Sequence, residues 1–356
     1  FEHKELQLLV KGSDISAFGV SVDYPGISVN RLARVDSNNY LFIYLNIDAD
    51  ATPGKFDIVF GNEGQKVVHQ YELRKRNSDP DHGKGFTSAD TIYLITPDRF
   101  ANGDPSNDSL PELADKLNRD DDFGRHGGDL AGVERSLDYI VGMGFTAIWL
   151  NPILENAMPR TSYHGYATTD FYKVDPRFGS NDQYRELVAR AKAKGLGVIM
   201  DMIVNHVGSG HWWMNDLPSS DWLNVPEERS ITTHARTTNQ DPYASKFDKA
   251  AQTDGWFSPR MPDLNQRNPL LADYLTQNAI WWTEYVGLNG IRMDTQPYPD
   301  KHYLSEWSRR IMLEYPDFNL TGEEWSGNPA IVSYWQRGKT NHDLSLIHIS
   351  EPTRLQ

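Results

Sequence analysis

The 356-residue sequence contains no cysteine, which excludes disulfide bonds and metal sites built on thiolates. It has no apolar run near the roughly 20 residues that a membrane-spanning helix requires, so we expect no insertion into a membrane. Basic residues are outnumbered by acidic ones, 35 against 49, which gives a formal net charge of −14. That charge disfavours nucleic acid and anionic membrane surfaces as partners and fits a neutral substrate.

Aromatic residues make up 12% of the chain and include 10 Trp. Their rings can stack on the apolar faces of sugars, although most aromatic side chains in a soluble protein lie in the core. The chain is too long for one ordinary core, so its length predicts two or three domains. No secretion signal is recognisable and the sequence starts at Phe1, so this end does not define the compartment.

The first part of the chain, residues 1–77, has the pattern of an all-β sandwich. Short alternating segments are separated by turn residues at intervals of roughly eight to twelve positions. Residues 78–88 carry charges, Gly and Pro without apolar periodicity, and are predicted to be a linker. The predicted strands are LQLLV (6–10), FGVSVDY (18–24), NYLFIYLNI (39–47), GKFDIVF (54–60) and VVHQYEL (67–73).

From residue 89 onward strands alternate with helices, which predicts a parallel sheet of either doubly wound or barrel form. Residues 207–268 interrupt this alternation after the third strand and are predicted to be an inserted domain with a functional role. The predicted strands are 91–95, 146–150, 196–202, 290–294 and 318–323, and the predicted helices are 130–143, 182–193, 270–285 and 303–313.

Acidic residues stand at the carboxyl ends of three successive predicted strands, in the order Asp201, Asp294 and Glu323. A parallel barrel carries its active site at this rim, and a pair of carboxyl groups facing one cavity is the arrangement of glycosidases. A single Asp at such a position is more often a helix cap. The occurrence on three successive strands is what indicates catalysis.

Five segments resemble the ordered signatures of the α-amylase family, glycoside hydrolase family 13, in its neopullulanase and cyclomaltodextrinase branch of Bacteroidetes type. The resemblance implies an α/β fold, an incomplete TIM (β/α)8 barrel with strands 1–5 present over residues 89–344, preceded by that branch's sandwich domain. It also implies retaining hydrolysis of α-1,4-glucosidic bonds in cyclodextrins, pullulan or maltodextrins. The segments are YHGY (163–166), DMIVNH (201–206), MPDLN (261–265), GIRMD (290–294) and GEEW (322–325).

The resemblance implies that Asp294 is the nucleophile and Glu323 the general acid/base. Arg292 lies two positions before Asp294 on the same strand and shares its face, so we expect its charge to lower the pKa of Asp294. Glu324 points the other way on an extended segment, which favours Glu323 as the acid. The substrate-binding residues that the resemblance implies are Tyr166, His164, Asp201, His206 and Arg292.

The loop NGDPSND (102–108) is rich in oxygen donors. Calcium takes about six to eight oxygen ligands, although Asx turns explain such a composition without an ion. In the resembled branch a similar loop and a Gly-Gly-Asp segment hold calcium, so the resemblance implies a structural calcium site. Its ligands would be Asn102, Asp104, Asn107, Asp108, Gly127 and Asp129.

Two segments depart from the family pattern. Pro297 and Tyr298 stand where many α-amylases carry a Lys-His pair that binds the glucose beyond the cleaved bond. The segment Asn341-His342-Asp343 looks like the family's last signature, but it follows Glu323 with no sixth strand between. We therefore do not assign the third catalytic Asp to it.

Residues 345–356 fit no pattern and resemble a translated sequencing-adapter read, so we expect a non-native tail. The barrel would then be incomplete and this chain inactive by itself, because an unclosed barrel exposes strand edges. The resemblance also implies a periplasmic or extracellular location and allows a homodimer through the N-terminal domain. The alternatives are a transglycosylase using the same residues and a non-catalytic glycan-binding barrel.

Overall fold

The computed structural model describes residues 1–224 and 231–335. The segment Asn341-His342-Asp343 and the expected tail over 345–356 lie outside the described residues. The described strands are β1 Glu5–Lys11, β2 Gly19–Val22, β3 Ile27–Arg34, β4 Tyr40–Ile47, β5 Gly54–Gly61, β6 Lys66–Leu73, β7 Ile92–Ile95, β8 Ala147–Leu150, β9 Leu154–Glu155, β10 Asp170–Val174, β11 Gly197–Met202, β12 Gly290–Met293 and β13 Asn319–Gly322.

The described α-helices all follow the N-terminal strands, and the first of them begins at Pro97. Among the residues that the structure describes, no helix has the length and apolar character needed to cross a bilayer. The helices are α1 Pro97–Phe100, α2 Leu130–Arg135, α3 Leu137–Gly142, α4 Asn181–Ala193, α5 Lys246–Thr253, α6 Pro269–Trp282, α7 Lys301–Glu314 and α8 Pro329–Val332.

The N-terminal domain is a sandwich of two antiparallel sheets, β1-β4-β3 and β2-β5-β6, which confirms the predicted class. Its core forms where alternate side chains of β4 and β5 face each other. Strand β3 is absent from the predicted strands because a bulge between Val29 and Arg31 breaks its alternation. The facing buried residues are Leu41, Ile43 and Leu45 from β4 and Phe56, Ile58 and Phe60 from β5.

Strand β4 is buried on both faces, which explains its nearly continuous apolar sequence. Its second face packs against the rest of the fold through Tyr40, Phe42 and Tyr44. The Tyr40 hydroxyl donates to the backbone oxygen of Asp216 at 2.6 Å. The sandwich is therefore docked on the insertion rather than joined only by the linker.

The second domain contains a five-stranded parallel sheet in the order β7-β8-β11-β12-β13. The parallel strands are arranged side by side in the order in which they occur along the chain. A doubly wound sheet instead reverses its strand order at a switch point. The order therefore settles the choice in favour of a partial barrel wall. One face of the wall carries Ala147, Trp149 and Ile199 with Phe86, and the other packs Val198 and neighbouring residues against the helices.

Two predicted helices differ in detail from the structure. The helix predicted over 130–143 is split between α2 and α3, where the Ser136 hydroxyl donates to the Gly132 backbone oxygen at 2.9 Å. Such a bond to the preceding turn bends a helix. The helix predicted over 270–285 corresponds to α6, which continues after Trp282 as a wider π-type turn over Thr283–Gly287. It ends at Gly287, whose φ of 81° is left-handed.

The described part of the insertion is mostly irregular and contains one α-helix, α5. Trp213 and Trp222 are completely buried. The Trp222 ring lies 5.8 Å from that of Phe42 on the sandwich. These tryptophans therefore serve packing, whereas the later residues of the insertion approach the ends of the barrel strands.

Candidate active site

The carboxyl ends of β11, β12 and β13 are held together by their backbones. Asp201 stands opposite Arg292 in the parallel register. The Asp294 amide donates to the Met202 oxygen at 2.9 Å, and the Glu323 amide donates to the Met293 oxygen at 3.0 Å. These bonds continue the sheet by one residue on each strand and bring the three acidic side chains to one rim.

The guanidinium of Arg292 lies at the centre of this group. Its Nη1 is 2.7 Å from Asp201 Oδ1 and 2.7 Å from Asp294 Oδ1. Its Nη2 is 2.8 Å from Glu323 Oε1. Three carboxyl groups therefore share one cation, and the two predicted catalytic side chains both contact it.

The two predicted catalytic side chains differ in exposure. The Asp294 side chain is 5% exposed and that of Glu323 is 26% exposed. The Thr295 amide donates to Glu323 Oε2 at 2.9 Å, which orients the glutamate. Thr295 achieves this with a left-handed backbone, at a φ of 48°, directly after Asp294. A non-glycine residue in this region is strained and is held there by its surroundings.

Burial raises the pKa of Asp294 to about 8, and the negative charge of Asp201 adds to the effect while Arg292 opposes it. Burial likewise raises the pKa of Asp201, to about 6, against the effect of Arg292. Arg292 lowers the pKa of Asp294 as expected, but burial and the charge of Asp201 outweigh it, so the net shift is upward. One guanidinium shared by Asp201 and Asp294 does not offset the burial of both carboxyl groups.

Asp201 is fixed by two donors besides Arg292. Its Oδ2 accepts from Trp149 Nε1 at 3.0 Å and from the Tyr166 hydroxyl at 3.2 Å. Asn151 Nδ2 donates in turn to that hydroxyl at 3.2 Å. Trp149 and Asn151 are absent from the predicted site. The alternation of β8 could have revealed Trp149, because it shares the inward face with Ala147.

The two predicted site histidines both support Tyr166. His164 Nδ1 accepts from the Tyr166 amide at 2.9 Å, and its ring stacks on Tyr166 at 5.7 Å. His206 Nε2 lies 3.0 Å from the Tyr166 backbone oxygen, and its ring stacks on Phe257 at 5.4 Å. Burial lowers the pKa of both imidazoles to about 4, so both are neutral.

Comparison with known proteins agrees with this geometry. Residues 94–352 match the α-amylase catalytic domain, and residues 1–77 match the cyclomaltodextrinase N-terminal domain. The chain belongs to the α-amylase family. It is 33% identical over 262 residues to a cyclomaltodextrinase of Thermoanaerobacter pseudethanolicus, covering 71% of this chain and 42% of that protein. It is 34% identical over 244 residues to neopullulanase 2 of Thermoactinomyces vulgaris, covering 66% and 38%.

Solved structures give the same result. The α-amylase of Geobacillus thermoleovorans in complex with acarbose is 36% identical, with a TM-score of 0.55, covering 69% of this chain and 48% of that one. This α-amylase family chain therefore spans less than half the length of these relatives.

Glu324 of this family member turns away from Arg292. Its side chain is 4% exposed and lies 3.7 Å from Arg236 Nη1 of the insertion. Its Oε2 accepts from Trp335 Nε1 at 2.8 Å. Glu324 therefore contacts residues outside the group of three carboxyls, and Glu323 is the glutamate that contacts Arg292.

The departure at Pro297 and Tyr298 has a structural counterpart. Tyr298 is 1% exposed, and its hydroxyl lies 2.8 Å from His234 Nδ1. Its ring contacts those of Phe257 and Trp325 at 5.4 and 6.0 Å. The positions of the family's Lys-His pair are thus used to bind the insertion to the barrel.

The predicted calcium loop of this α-amylase family chain converges on Asp129. Its Oδ1 accepts from the Gly103 amide at 3.0 Å, and its Oδ2 accepts from the Asp104 amide at 2.7 Å. Asp129 also caps α2 by accepting from the Gly132 amide at 2.6 Å. The Asp104 carboxylate itself turns outward and accepts from the Ser106 amide at 3.0 Å.

Two amide oxygens of this loop, Asn102 Oδ1 and Asn107 Oδ1, are buried without a hydrogen-bond partner. Asp108 directly follows Asn107 in sequence and accepts from Asn102 Nδ2 at 2.7 Å. A Cβ atom added at Gly127 would lie 2.6 Å from Asp108 Oδ1, so the Gly127 backbone approaches the Asp108 carboxylate closely. In the described ranges no group of three or more His, Asp or Glu side chains could hold a metal. A cation here would therefore depend on amide and backbone oxygens.

Replacing Asp294 with Asn is expected to stabilise the fold. The folded pKa of Asp294 lies above the ordinary value, so ionising it costs folding free energy, and that cost grows as pH rises from about 4 to 8. We expect Asp294→Asn to raise the melting temperature more at pH 8 than at pH 5. At the higher pH the gain in the free energy of unfolding should be on the order of 1–4 kcal/mol. Thermal unfolding at both pH values measures this. A gain that shrinks toward pH 8 contradicts it.

Proposed function

We propose that the full-length protein is a retaining hydrolase that cleaves α-1,4-glucosidic bonds in cyclodextrins, pullulan or maltodextrins. The observation that carries the proposal is the pair of carboxyl groups, Asp294 and Glu323, on adjacent strand ends and bonded to one guanidinium. Relatives named cyclomaltodextrinase and neopullulanase support the same class of substrate.

The exposure of the two carboxyls divides the chemistry between them. Asp294 is held against Arg292, where its free oxygen can attack the anomeric carbon and form a covalent glycosyl intermediate. Glu323 is the more exposed group and can pass a proton to the leaving oxygen. It then accepts a proton from the water that releases the sugar with its original configuration.

The remaining polar residues keep this pair in place. Asp201 is bonded to Arg292, Trp149 and Tyr166, so it holds both the cation and the tyrosine. The neutral His164 and His206 orient Tyr166 without adding charge.

The test is incubation of the full-length gene product with cyclodextrin, pullulan and maltodextrin. We expect maltose or panose, released with α configuration when products are followed by NMR, and no release by Asp294→Asn. Products longer than the substrate would favour the transglycosylase. Glycan binding without any released sugar would favour the non-catalytic barrel and overturn the proposal.

We also propose that the loop around Asn102, Asn107, Asp108, Gly127 and Asp129 holds a structural calcium ion. The buried side-chain oxygens of Asn102 and Asn107 support the proposal. Neither accepts a hydrogen bond, and a calcium ion would give both oxygens a partner. Asp104 is less suited as a ligand because its carboxylate is exposed and bonded to Ser106.

Calcium should stabilise the protein if this assignment is correct. At a concentration 100 times its dissociation constant the ion contributes about 2.7 kcal/mol, so we expect chelation by EDTA to lower the melting temperature and calcium to restore it. Asp108→Ala should abolish the response, whereas Asp104→Asn should retain most of it. A melting temperature that neither EDTA nor calcium changes contradicts the site.

A homodimer through the N-terminal domain is proposed as well. Strand β6 is at the edge of its sheet and exposes Val67 and Val68, at 52% and 49%. Exposed apolar residues on an edge strand favour pairing with another copy. Analytical ultracentrifugation of wild type and Val68→Lys measures the oligomeric state.

A periplasmic or extracellular location stays a prediction.

A further inference from the structure

A short stretch of the insertion, residues 234–239, lies across the two loops that follow the catalytic strands; we name it the bridging segment. His234 Nδ1 is 2.8 Å from the Tyr298 hydroxyl, in the loop after Asp294. Asn239 Nδ2 donates to the Pro297 oxygen of that loop at 2.8 Å. Arg236, between them, reaches the loop after β13. One segment therefore contacts the backbone neighbourhood of both catalytic carboxyls.

The contact with the second loop joins the partly buried cation of Arg236 to the buried carboxylate of Glu324. Arg236 Nη1 lies 3.7 Å from Glu324 Oε1, with side chains that are 25% and 4% exposed. The Arg236 guanidinium also lies 5.2 Å from the Trp325 ring. Removing one member of such a pair leaves the other charge poorly solvated, so the pair holds its two segments together.

Backbone strain occurs at both ends of this arrangement. His234 has a φ of 55° and Thr295 a φ of 48°, both left-handed and neither a glycine. Such conformations persist only where the surroundings impose them. The strained residue at 295 supplies the amide that orients Glu323. The bridging segment thus contacts the loop on which the position of Glu323 depends.

We propose that Arg236 and Glu324 are positioning residues for the general acid/base. Glu323 and Glu324 are adjacent in the loop after β13, with Glu323 contacting Arg292 and Glu324 contacting Arg236 and Trp335. Because one peptide unit joins the two residues, holding Glu324 against Arg236 and Trp335 restricts the backbone that carries Glu323. The pair therefore acts on proton donation and not on nucleophilic attack. This inference rests on the proposed function.

The decisive variant is Glu324→Gln in the full-length protein. Its amide oxygen can still accept from Trp335 Nε1, while the charge that pairs with Arg236 is lost. The two substrates are maltotetraose, whose leaving sugar needs a proton, and α-maltosyl fluoride, whose fluoride leaves without one. We expect kcat to fall about tenfold on maltotetraose with little change in KM, whereas kcat/KM for the fluoride, which reports only formation of the glycosyl intermediate, should stay near wild type.

Three further variants separate positioning from folding. Arg236→Met should reproduce the effect, Arg236→Lys should recover most of it, and Arg236→Met combined with Glu324→Gln should be no worse than either alone. The matched control is Glu314→Gln, which also breaks a buried Arg–Glu pair, with Arg76, but on helix α7. It should leave the ratio of the two substrates unchanged.

The outcomes are distinct. An equal loss on both substrates, or no loss on either, overturns the positioning role. Should Glu324→Gln fail to fold, the same ratio measured on Arg236→Met decides. A wild type that cleaves neither substrate contradicts the proposed function itself, whereas a wild type that cleaves both leaves only the pair in question.

Discussion

Asp294→Asn should lower the turnover of α-1,4-glucans by on the order of 10⁴-fold or more, as loss of a catalytic nucleophile does elsewhere. The amide cannot form the covalent bond to the anomeric carbon, yet it can keep a hydrogen bond from Arg292, now 2.7 Å from Asp294 Oδ1. We therefore expect the loss in kcat and not in substrate binding. Rates of sugar release together with binding by calorimetry measure the two separately.

The same substitution contains its own control against misfolding. A variant that unfolds would lose activity and melting temperature together, whereas we expect Asp294→Asn to lose activity while its melting temperature rises. Retention of more than a tenth of the wild-type turnover would show that another group attacks the sugar. Asp201 would then be the first candidate, because it contacts the same guanidinium nitrogen.

The positions of the three acidic residues could be predicted because they follow from local pattern. Short apolar segments that alternate with helices define the strands, and the first polar residues beyond them fall at one rim in any parallel barrel. Asp201, Asp294 and Glu323 come together in this way, and the strand order β7-β8-β11-β12-β13 has the form expected of a barrel. Alternation alone could not distinguish a barrel from a doubly wound sheet, since that choice depends on strand order.

The electrostatics of the site could not be predicted from strand positions. The expected effect of Arg292 on the pKa of Asp294 left out the burial of that carboxyl and the charge of Asp201, which outweigh it. In the structure the same nitrogen also bonds to Asp201, whose position is fixed by Trp149 from a third strand. The balance between desolvation and one shared cation depends on residues far apart in the chain, and no single motif contains it.

The bridging segment is a second feature that sequence could not reveal. His234 and Tyr298 are 64 positions apart, and they meet only because the insertion folds back over the strand ends. The contacts of His164 and His206 with Tyr166 depend on the fold in a similar way, because a ring nitrogen of each contacts the Tyr166 backbone. Their substrate-binding roles stay predictions.

Glu323→Gln should be far more damaging than Glu324→Gln. The first variant removes the group that gives a proton to the leaving oxygen, and we expect kcat on maltotetraose to fall by about 10³-fold or more. The second variant changes a side chain that faces Arg236 and Trp335, and we expect about a tenfold loss. Because the two positions are adjacent and carry the same chemical change, each is the matched control for the other.

α-Maltosyl fluoride separates the roles further. Formation of the glycosyl intermediate from the fluoride needs no proton, so Glu323→Gln should keep much of this first step and lose the later deprotonation of water. A burst of fluoride followed by slow turnover is the expected trace. If Glu324→Gln gave this trace and the larger loss, the proton donor would be Glu324, and the side chain bonded to the Thr295 amide would have to be a bystander.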